Sequence, residues 1–240
     1  MHTPPAYKRI LLKISGESLL GSREHGISYD AAEAIAGELK EIRELGVEIA
    51  LVVGGGNIFR GMAASKNGFE RTTADYMGML ATVMNSLALQ NALEEAGVPT
   101  RVQSALDMPK VCEPYIRRRA MRHMEKGRVV ILAAGTGNPY VTTDSGAALR
   151  AIELGCDILM KATKVDGVYD NDPKEHSNAN RFERIGYLDV LNSEAIQVID
   201  ASGITLCMEN SMPILVFDLF KPDNLAKAIR GEKVGTIIGK

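Results

Sequence analysis

The sequence predicts an α/β fold: a three-layer α/β/α sandwich around an open, mainly parallel sheet. Strand-like and helix-like segments alternate along nearly the whole chain, as stacked βα units require. Residues 47–53 and 129–134 are almost wholly apolar, as expected of strands covered on both faces. Glycine-bearing loops follow the β-like runs, and ligands bind at the carboxyl ends of strands in such sheets.

Residues 9–14 form a short β-like run, and residues 29–45 repeat apolar positions at helical spacing. After the strand at 47–53, a long helix is expected over about 73–96, stopped by Gly97 and Pro99. Residues 100–104 read as a strand, 113–126 as a helix, 129–134 as a strand, 144–154 as a helix and 157–160 as a strand. The stretch 168–185 is polar, and Asn171-Asp172-Pro173 and residues 178–180 mark loops or short hairpins. Helices are expected at 189–199 and 201–210, then a strand at 213–217, a helix at 223–230 and a last strand at 235–238. The whole chain, 1–240, reads as a single domain in which one lobe passes to another near Gly155. The helix segment YMGMLATVMNSLALQNAL is apolar over more than one stripe, which suits a central core helix, a subunit contact, or both.

At 240 residues the chain can bury a substantial core, with ordinary proportions of hydrophobic (45%) and charged (24%) residues. A net charge of −2 gives no global field for nucleic acid. The basic run Arg117-Arg118-Arg119 with Arg122 lacks interleaved aromatics and reads as the solvated face of a helix. Cys112, Cys156 and Cys207 show no metal or disulfide spacing and are expected to be reduced thiols of a cytoplasmic protein. No apolar run is long enough to span a membrane, and residues 1–8 lack a signal-peptide core. No nucleophile–base pair stands out, and the histidines His2, His25, His123 and His176 are expected in bland surface roles.

Four loops carry the chemistry: Lys13-Ile14-Ser15-Gly16, Gly54-Gly55-Gly56-Asn57, Gly135-Thr136-Gly137-Asn138-Pro139, and the segment from Lys161 to Val168. Glycine lets backbone N–H groups approach an anion, and lysine supplies a point charge for a phosphoryl group. Lys13 ends a strand and points toward a transferring group, or is a surface lysine beside a routine turn. Three consecutive glycines cost chain entropy, which close approach of backbone to an anion explains better than a tight turn does. This is neither a Walker loop nor a dinucleotide fingerprint, since the required spacings are missing. Arg60 suits bidentate phosphate recognition, with an exposed loop arginine as the alternative. Asp75 opens the long helix, as a dipole-favoured charge or as an acceptor for a sugar hydroxyl. Thr143 or Asp144 caps the next helix, or Asp144 aligns two lysines in a preorganised phosphoryl-transfer site.

The segments KISGES, VVGGGNIFRG, DYMGMLATVMN, GTGNPYVTTDSGAALRAIE and KATKVDGVYDNDP, in this order, closely resemble those of the bacterial UMP kinases, in the amino-acid-kinase superfamily. The resemblance runs from Tyr7 to about Gly239, and the paired GGGN-x-x-RG and GTGNP-x-x-TTD segments are its most specific part. It implies the amino-acid-kinase fold and transfer of the γ-phosphoryl group of Mg-ATP to UMP, giving UDP and ADP in pyrimidine nucleotide biosynthesis. It also implies a UMP-binding lobe over about 1–155 and an ATP-binding lobe over about 156–240.

By the same resemblance, Lys13, Ile14, Ser15, Gly16, Gly56, Arg60, Thr163, Tyr169 and Asp172 would bind ATP. Gly55, Asp75, Thr136, Gly137, Asn138, Pro139, Tyr140, Val141, Thr142 and Thr143 would bind UMP. Lys13, Arg60 and Asp144 would act in catalysis, with Lys161 or Lys164 as the second cation. Magnesium would be bound mainly through ATP, with no protein metal cage. A homohexamer is implied, with UTP as inhibitor and GTP as activator. The GTP effect maps to Gly21, Ser22, Arg23, Glu24, His25 and Gly26, whose Ser-Arg-Glu-His departs from the usual pattern. Two rival readings are a catalytically silent nucleotide sensor on the same fold and a kinase for another acceptor, such as CMP or a carboxylate.

Overall fold

The computed structural model describes residues 4–61, 65, 68–171, 173, 176, 178–193, 196 and 198–239. Its strands are β1 (Arg9–Ile14), β2 (Glu48–Val53), β3 (Thr100–Ser104), β4 (Glu113–Pro114), β5 (Val129–Ala133), β6 (Ile158–Thr163), β7 (Arg184–Ile185), β8 (Ile214–Asp218) and β9 (Gly235–Ile238). Its helices are α1 (Tyr29–Glu44), α2 (Arg71–Glu95), α3 (Arg117–Glu125), α4 (Thr143–Leu154), α5 (Tyr187–Asn192), α6 (Ala201–Glu209) and α7 (Asn224–Ile229), with a 3-10 turn at Gly16–Leu19. The strands form one sheet in the order β4-β3-β5-β2-β1-β6-β8-β9-β7. Pairing is parallel except between β8 and β9, and β1 joins β2 on one side to β6 on the other.

The apolar central strands read correctly because both of their faces are covered. One face packs on α1, α2 and α7 through residues such as Leu12, Leu51, Leu39, Leu89 and Leu225. The other packs on α3 to α6 through Leu11, Val130, Ala147, Leu159 and Ile204. The helix α2 divides its apolar residues between two sides. Met79, Val83, Leu89 and Leu93 are buried, while Tyr76, Met77, Leu80 and Met84 form an exposed stripe. Among the described residues no helix is long and apolar enough to cross a membrane.

The helix expected at 189–199 is Tyr187–Asn192, ended by extended backbone at Ser193; two further boundaries differ, each for a physical reason. The helix expected over 113–126 begins only at Arg117, because the residue before a proline is driven to extended backbone. Glu113 and Pro114 instead pair with β3, and the Tyr115 amide donates to the Ser104 carbonyl at 2.8 Å. The strand expected at 157–160 runs on to Thr163, since Lys161, Ala162 and Thr163 pair with Val216, Phe217 and Asp218 of β8. Lys161 therefore stands inside a strand and not in the following loop. Its register partner on β1 is Lys13.

Candidate active site

The register pairing sets two lysines side by side on one face of the sheet. Like charges on neighbouring strands repel, so the arrangement needs a counter-ion. The helix α4 supplies it. Thr142 caps the helix, its hydroxyl accepting from the Asp144 and Ser145 amides at 3.1 and 3.2 Å. The cap is thus Thr142, one residue before the positions expected. This frees Asp144 to reach over the sheet. Its Oδ1 lies 2.7 Å from Lys13 Nζ, and its Oδ2 accepts from Lys161 Nζ at 2.5 Å.

Burial pushes the Asp144 carboxyl upward, but the Lys13 and Lys161 ammonium groups together outweigh it and hold the pKa below the ordinary aspartate value. Burial and the nearby Lys13 hold Lys161 below the ordinary lysine value, and Asp144 works against both. Lys161 also donates to the Val198 carbonyl. Lys164 is different: its side chain is 66% exposed, and its partner is Glu17, at 3.5 Å. Of the two candidates for the second cation, only Lys161 is at the carboxylate.

Two clefts lie nearby: one reaches Thr142 and Thr143, next to Asp144 in the chain, and Asp144 and Lys161 line the other. The first, of ≈ 540 Å³, lies between α2 and the loops after β2 and β5. Among the residues expected for UMP, it brings together Gly55, Asp75, Thr136, Asn138, Val141, Thr142 and Thr143; Arg60 also lines it. The second, also ≈ 540 Å³, is bounded by Asp144, Lys161, Val198, Asp200 and Ile204.

The glycines divide into two kinds. A Cβ on Gly16 would stand 2.4 Å from Asn57 Oδ1 and 2.6 Å from the Gly54 carbonyl; one on Gly55 would stand 2.8 Å from the Gly78 carbonyl of α2. Gly16 and Gly55 are therefore required by loop and helix packing. At Gly56 the nearest atom is Arg60 Nε at 3.8 Å, so its backbone is open to a ligand. Packing thus explains Gly16 and Gly55, though Gly55 also lines the first cleft, while at Gly56 no packing contact calls for glycine.

Arg60 is exposed, donates to the Gly56 carbonyl at 3.2 Å and pairs with Glu17. Asp75 does not open α2. Glu70 caps the helix, and the Thr72 and Thr73 amides pull its carboxyl down to about 2. Asp75 lies one turn on, its Oδ2 accepting from Arg71 Nε and the Tyr140 amide, both at 2.8 Å, which ties α2 to the loop after β5. That loop holds Ala134, Gly135, Gly137 and Tyr140 at positive φ. For a non-glycine residue such backbone costs energy and concentrates at functional sites. Gly137, Pro139 and Tyr140 shape the loop and do not line the first cleft.

Ile14 is fully buried, and the Ser15 hydroxyl caps the 3-10 turn by accepting from the Glu17 amide at 3.2 Å. Thr163 closes the turn after β6 by donating to the Val165 carbonyl at 2.5 Å. Tyr169 donates to Asp166 at 2.6 Å. Asp172 lies outside the described residues, as does His2. Residues 21–25 are exposed, and Gly26 is hydrogen-bonded to Asn57. His123 is not a bland surface residue: it lies between Glu113 and Arg128, at 3.0 and 2.9 Å.

Several residues at the site lie outside those expected from the sequence. The Thr82 hydroxyl accepts from the Ala134 amide at 2.8 Å, holding that residue in its left-handed conformation. Asn85 donates to the Gly54 carbonyl at 2.7 Å. A signal for both exists: Asp75, Gly78, Thr82 and Asn85 recur at helical spacing and mark one small, polar seam through an apolar helix. Asp200 accepts from Thr142, from Ser145 at 2.7 Å and from the Gly203 amide at 2.8 Å, joining α6 to the start of α4. It is isolated in sequence from the glycine loops and carries no comparable signal.

A mainly parallel sheet with glycine loops at its strand ends, and paired lysines bridged by a carboxylate beside a cleft, is an arrangement suited to phosphoryl transfer. The amino acid kinase family model matches residues 8–218, and the chain belongs to that family. Among solved structures it is similar to the UMP kinase of Bacillus anthracis, with 39% identity and a TM-score of 0.93 over 97% of this chain and 96% of that one. It is similar also to the UMP kinase of Ureaplasma parvum, with 38% identity and a TM-score of 0.91 over 97% and 99% of the two chains. The uridylate kinase of Archaeoglobus fulgidus matches at 28% identity and a TM-score of 0.74, over 96% and 99%.

Proposed function

We propose that this protein transfers the γ-phosphoryl group of Mg-ATP to UMP, forming UDP and ADP. One observation carries the reading: Asp144 bridges Lys13 and Lys161, and this cluster borders the second cleft through Asp144 and Lys161 and adjoins Thr143 of the first in the chain. Ligands entering from the two sides would present their phosphates to the same pair of cations. The likeness to UMP and uridylate kinases over at least 96% of the chain supports uridylate as the acceptor.

In this reading the first cleft takes UMP. Asp75 meets the ribose, while Gly55 and residues 136–143 surround the uridine and its phosphate. The ATP phosphates lie along Lys13 to Gly16 and at Gly56 and Arg60. The adenine end extends toward Thr163, Tyr169 and Asp172. The lobes at about 1–155 and 156–240 then correspond to acceptor and donor sides of one continuous sheet.

A phosphate monoester has a second pKa of about 6, so the attacking oxygen is ionised at neutral pH and needs no general base. That oxygen bonds to the γ-phosphorus as the bond to the β-γ bridging oxygen breaks, and ADP leaves with the electron pair. Lys13 and Lys161 meet the charge on the transferring oxygens, and Asp144 fixes their positions. Among the described residues no cluster of three or more His, Cys, Asp or Glu is placed to hold a metal. Both Asp144 oxygens already face ammonium groups, so magnesium enters as part of the Mg-ATP substrate.

UTP would inhibit by placing its base in the first cleft and its phosphates across the junction. GTP activation would act through residues 21–26, which contact the glycine loop through Asn57. The exposed stripe Tyr76, Met77, Leu80 and Met84 supports assembly, with a homohexamer as the form proposed. Three free thiols support a cytoplasmic setting. Incubation with Mg-ATP and, in parallel, UMP, CMP or aspartate tests the function. UDP is the expected main product, and preferential phosphorylation of CMP or aspartate would overturn the assignment.

A further inference from the structure

Beneath the Gly54-Gly55-Gly56 loop lies a pair of buried amides that the transfer chemistry does not use. Asn57 is 2% exposed and Asn85 is fully buried. Asn57 Nδ2 donates to Asn85 Oδ1 at 3.0 Å, and Asn85 Nδ2 donates back to Asn57 Oδ1 at 2.7 Å. The remaining N–H of each amide goes to a backbone carbonyl, that of Gly26 at 2.8 Å for Asn57 and that of Gly54 at 2.7 Å for Asn85. A carbonyl only accepts, so both amide orientations are fixed and every side-chain N–H is used. A fully satisfied buried network of this kind is stiff.

The pair touches three segments of chain at once. Through Gly54 it holds the loop after β2. Through Gly26, whose amide also donates to the Asn57 carbonyl at 3.0 Å, it holds the end of the 21–26 stretch. Through Asn57 Oδ1 it abuts Gly16, where an added Cβ would come within 2.4 Å. The loops after β1 and β2 are thus spaced by one amide pair seated on α2. An apolar pair of the same shape would leave the Gly26 and Gly54 carbonyls without these donors, so the amides hold the loop backbones as well as each other.

We infer that the Asn57–Asn85 pair is a positioning device for phosphoryl transfer: it sets the spacing between the loop after β1 and the loop after β2, and with it the approach of donor to acceptor phosphate. The inference rests on the proposed function. Both amides are buried, so they act through the loop backbones and not by touching a nucleotide. A misplacement of about 1 Å in such geometry costs roughly 10²-fold in rate.

The test uses Asn85→Leu and Asn85→Asp in the intact protein. For each variant, kcat, the KM values for ATP and UMP, and the melting temperature are measured. So is the affinity for a bisubstrate in which adenosine and uridine are joined by five phosphates. Asn85→Asp retains the size of the side chain and covers the case in which Asn85→Leu does not fold. Burial favours the protonated acid, which has one O–H where Asn85 gives two N–H groups, to Gly54 and to Asn57. The expected result is a kcat reduced by about 10²-fold with both KM values little changed. Bisubstrate affinity should fall well beyond the combined losses for the separate nucleotides. A folded variant with the kcat of the unsubstituted protein would overturn the inference, as would equal losses for the bisubstrate and the separate nucleotides. Failure of the unsubstituted protein to make UDP would instead reject the functional assignment.

Discussion

Asp144→Asn is expected to lower kcat by about 10²–10³-fold, the range observed when one preorganised electrostatic group is lost from a transition-state site. Lys13 and Lys161 are register partners on adjacent strands, and the Asp144 carboxylate is the counter-charge they share. The asparagine amide keeps the size of the side chain but removes the charge and turns a donor toward one ammonium. Burial and Lys13 already press Lys161 below the ordinary lysine value, and Asp144 is the larger of two carboxylates that oppose them, with Asp200 the other. Without Asp144, the Lys161 pKa falls further, which weakens its hold on the charge of a transferring phosphoryl group. Steady-state kcat and the melting temperature, measured together, check the prediction. A folded variant that turns over at the normal rate would show that the bridged lysines are not the catalytic cations.

The second large effect is expected at Gly16. In Gly16→Ala the new methyl would meet Asn57 Oδ1, the Gly54 carbonyl and the Gly56 amide at 2.4, 2.6 and 2.9 Å. Two of these atoms are backbone, and the third belongs to a buried amide whose orientation is fixed by its partners. None can move without displacing the loop after β2. Overpacking of this kind costs about 1–3 kcal/mol of stability, and the displaced loop should leave little transfer activity. Gly56→Ala is the control. Its nearest neighbour would be Arg60 Nε, at 3.8 Å, so the protein should keep its melting temperature and lose nucleotide affinity. Thermal denaturation and turnover of the two variants separate packing from ligand approach. Equal stability for both would show that the loops are not packed as described.

The fold was legible where local pattern and tertiary setting agree. Doubly covered strands such as β2 and β5 are continuous apolar runs, and Gly97 and Gly155 mark where α2 and α4 give way. The end of β6 was not legible, because the strand continues through Lys161 by pairing with β1 and β8, and through Ala162 and Thr163 by pairing with β8, more than fifty residues away. That one boundary decides between Lys161 and Lys164: a lysine in a strand has a fixed direction, while one in an exposed turn does not. The residues that touch ligand-facing space, such as Lys13, Gly56 and Asp144, stood out because their types match the chemistry. Thr82, Asn85 and Asp200 act on backbone groups or on other side chains. The polar seam on α2 marks Thr82 and Asn85 but not their partners, 52 and 31 residues away, and Asp200, whose partner is 58 residues away, has no such mark.

The most direct measurement is a crystal structure with UMP and an unreactive ATP analogue bound together with magnesium. The account predicts the uridine in the cleft beside Asp75 and Thr136. The terminal phosphates of the two nucleotides should face each other at Lys13 and Lys161, with Arg60 turned from Glu17 toward them. Phosphates lying elsewhere, with the ammonium groups of Lys13 and Lys161 directed away from both ligands, would contradict it.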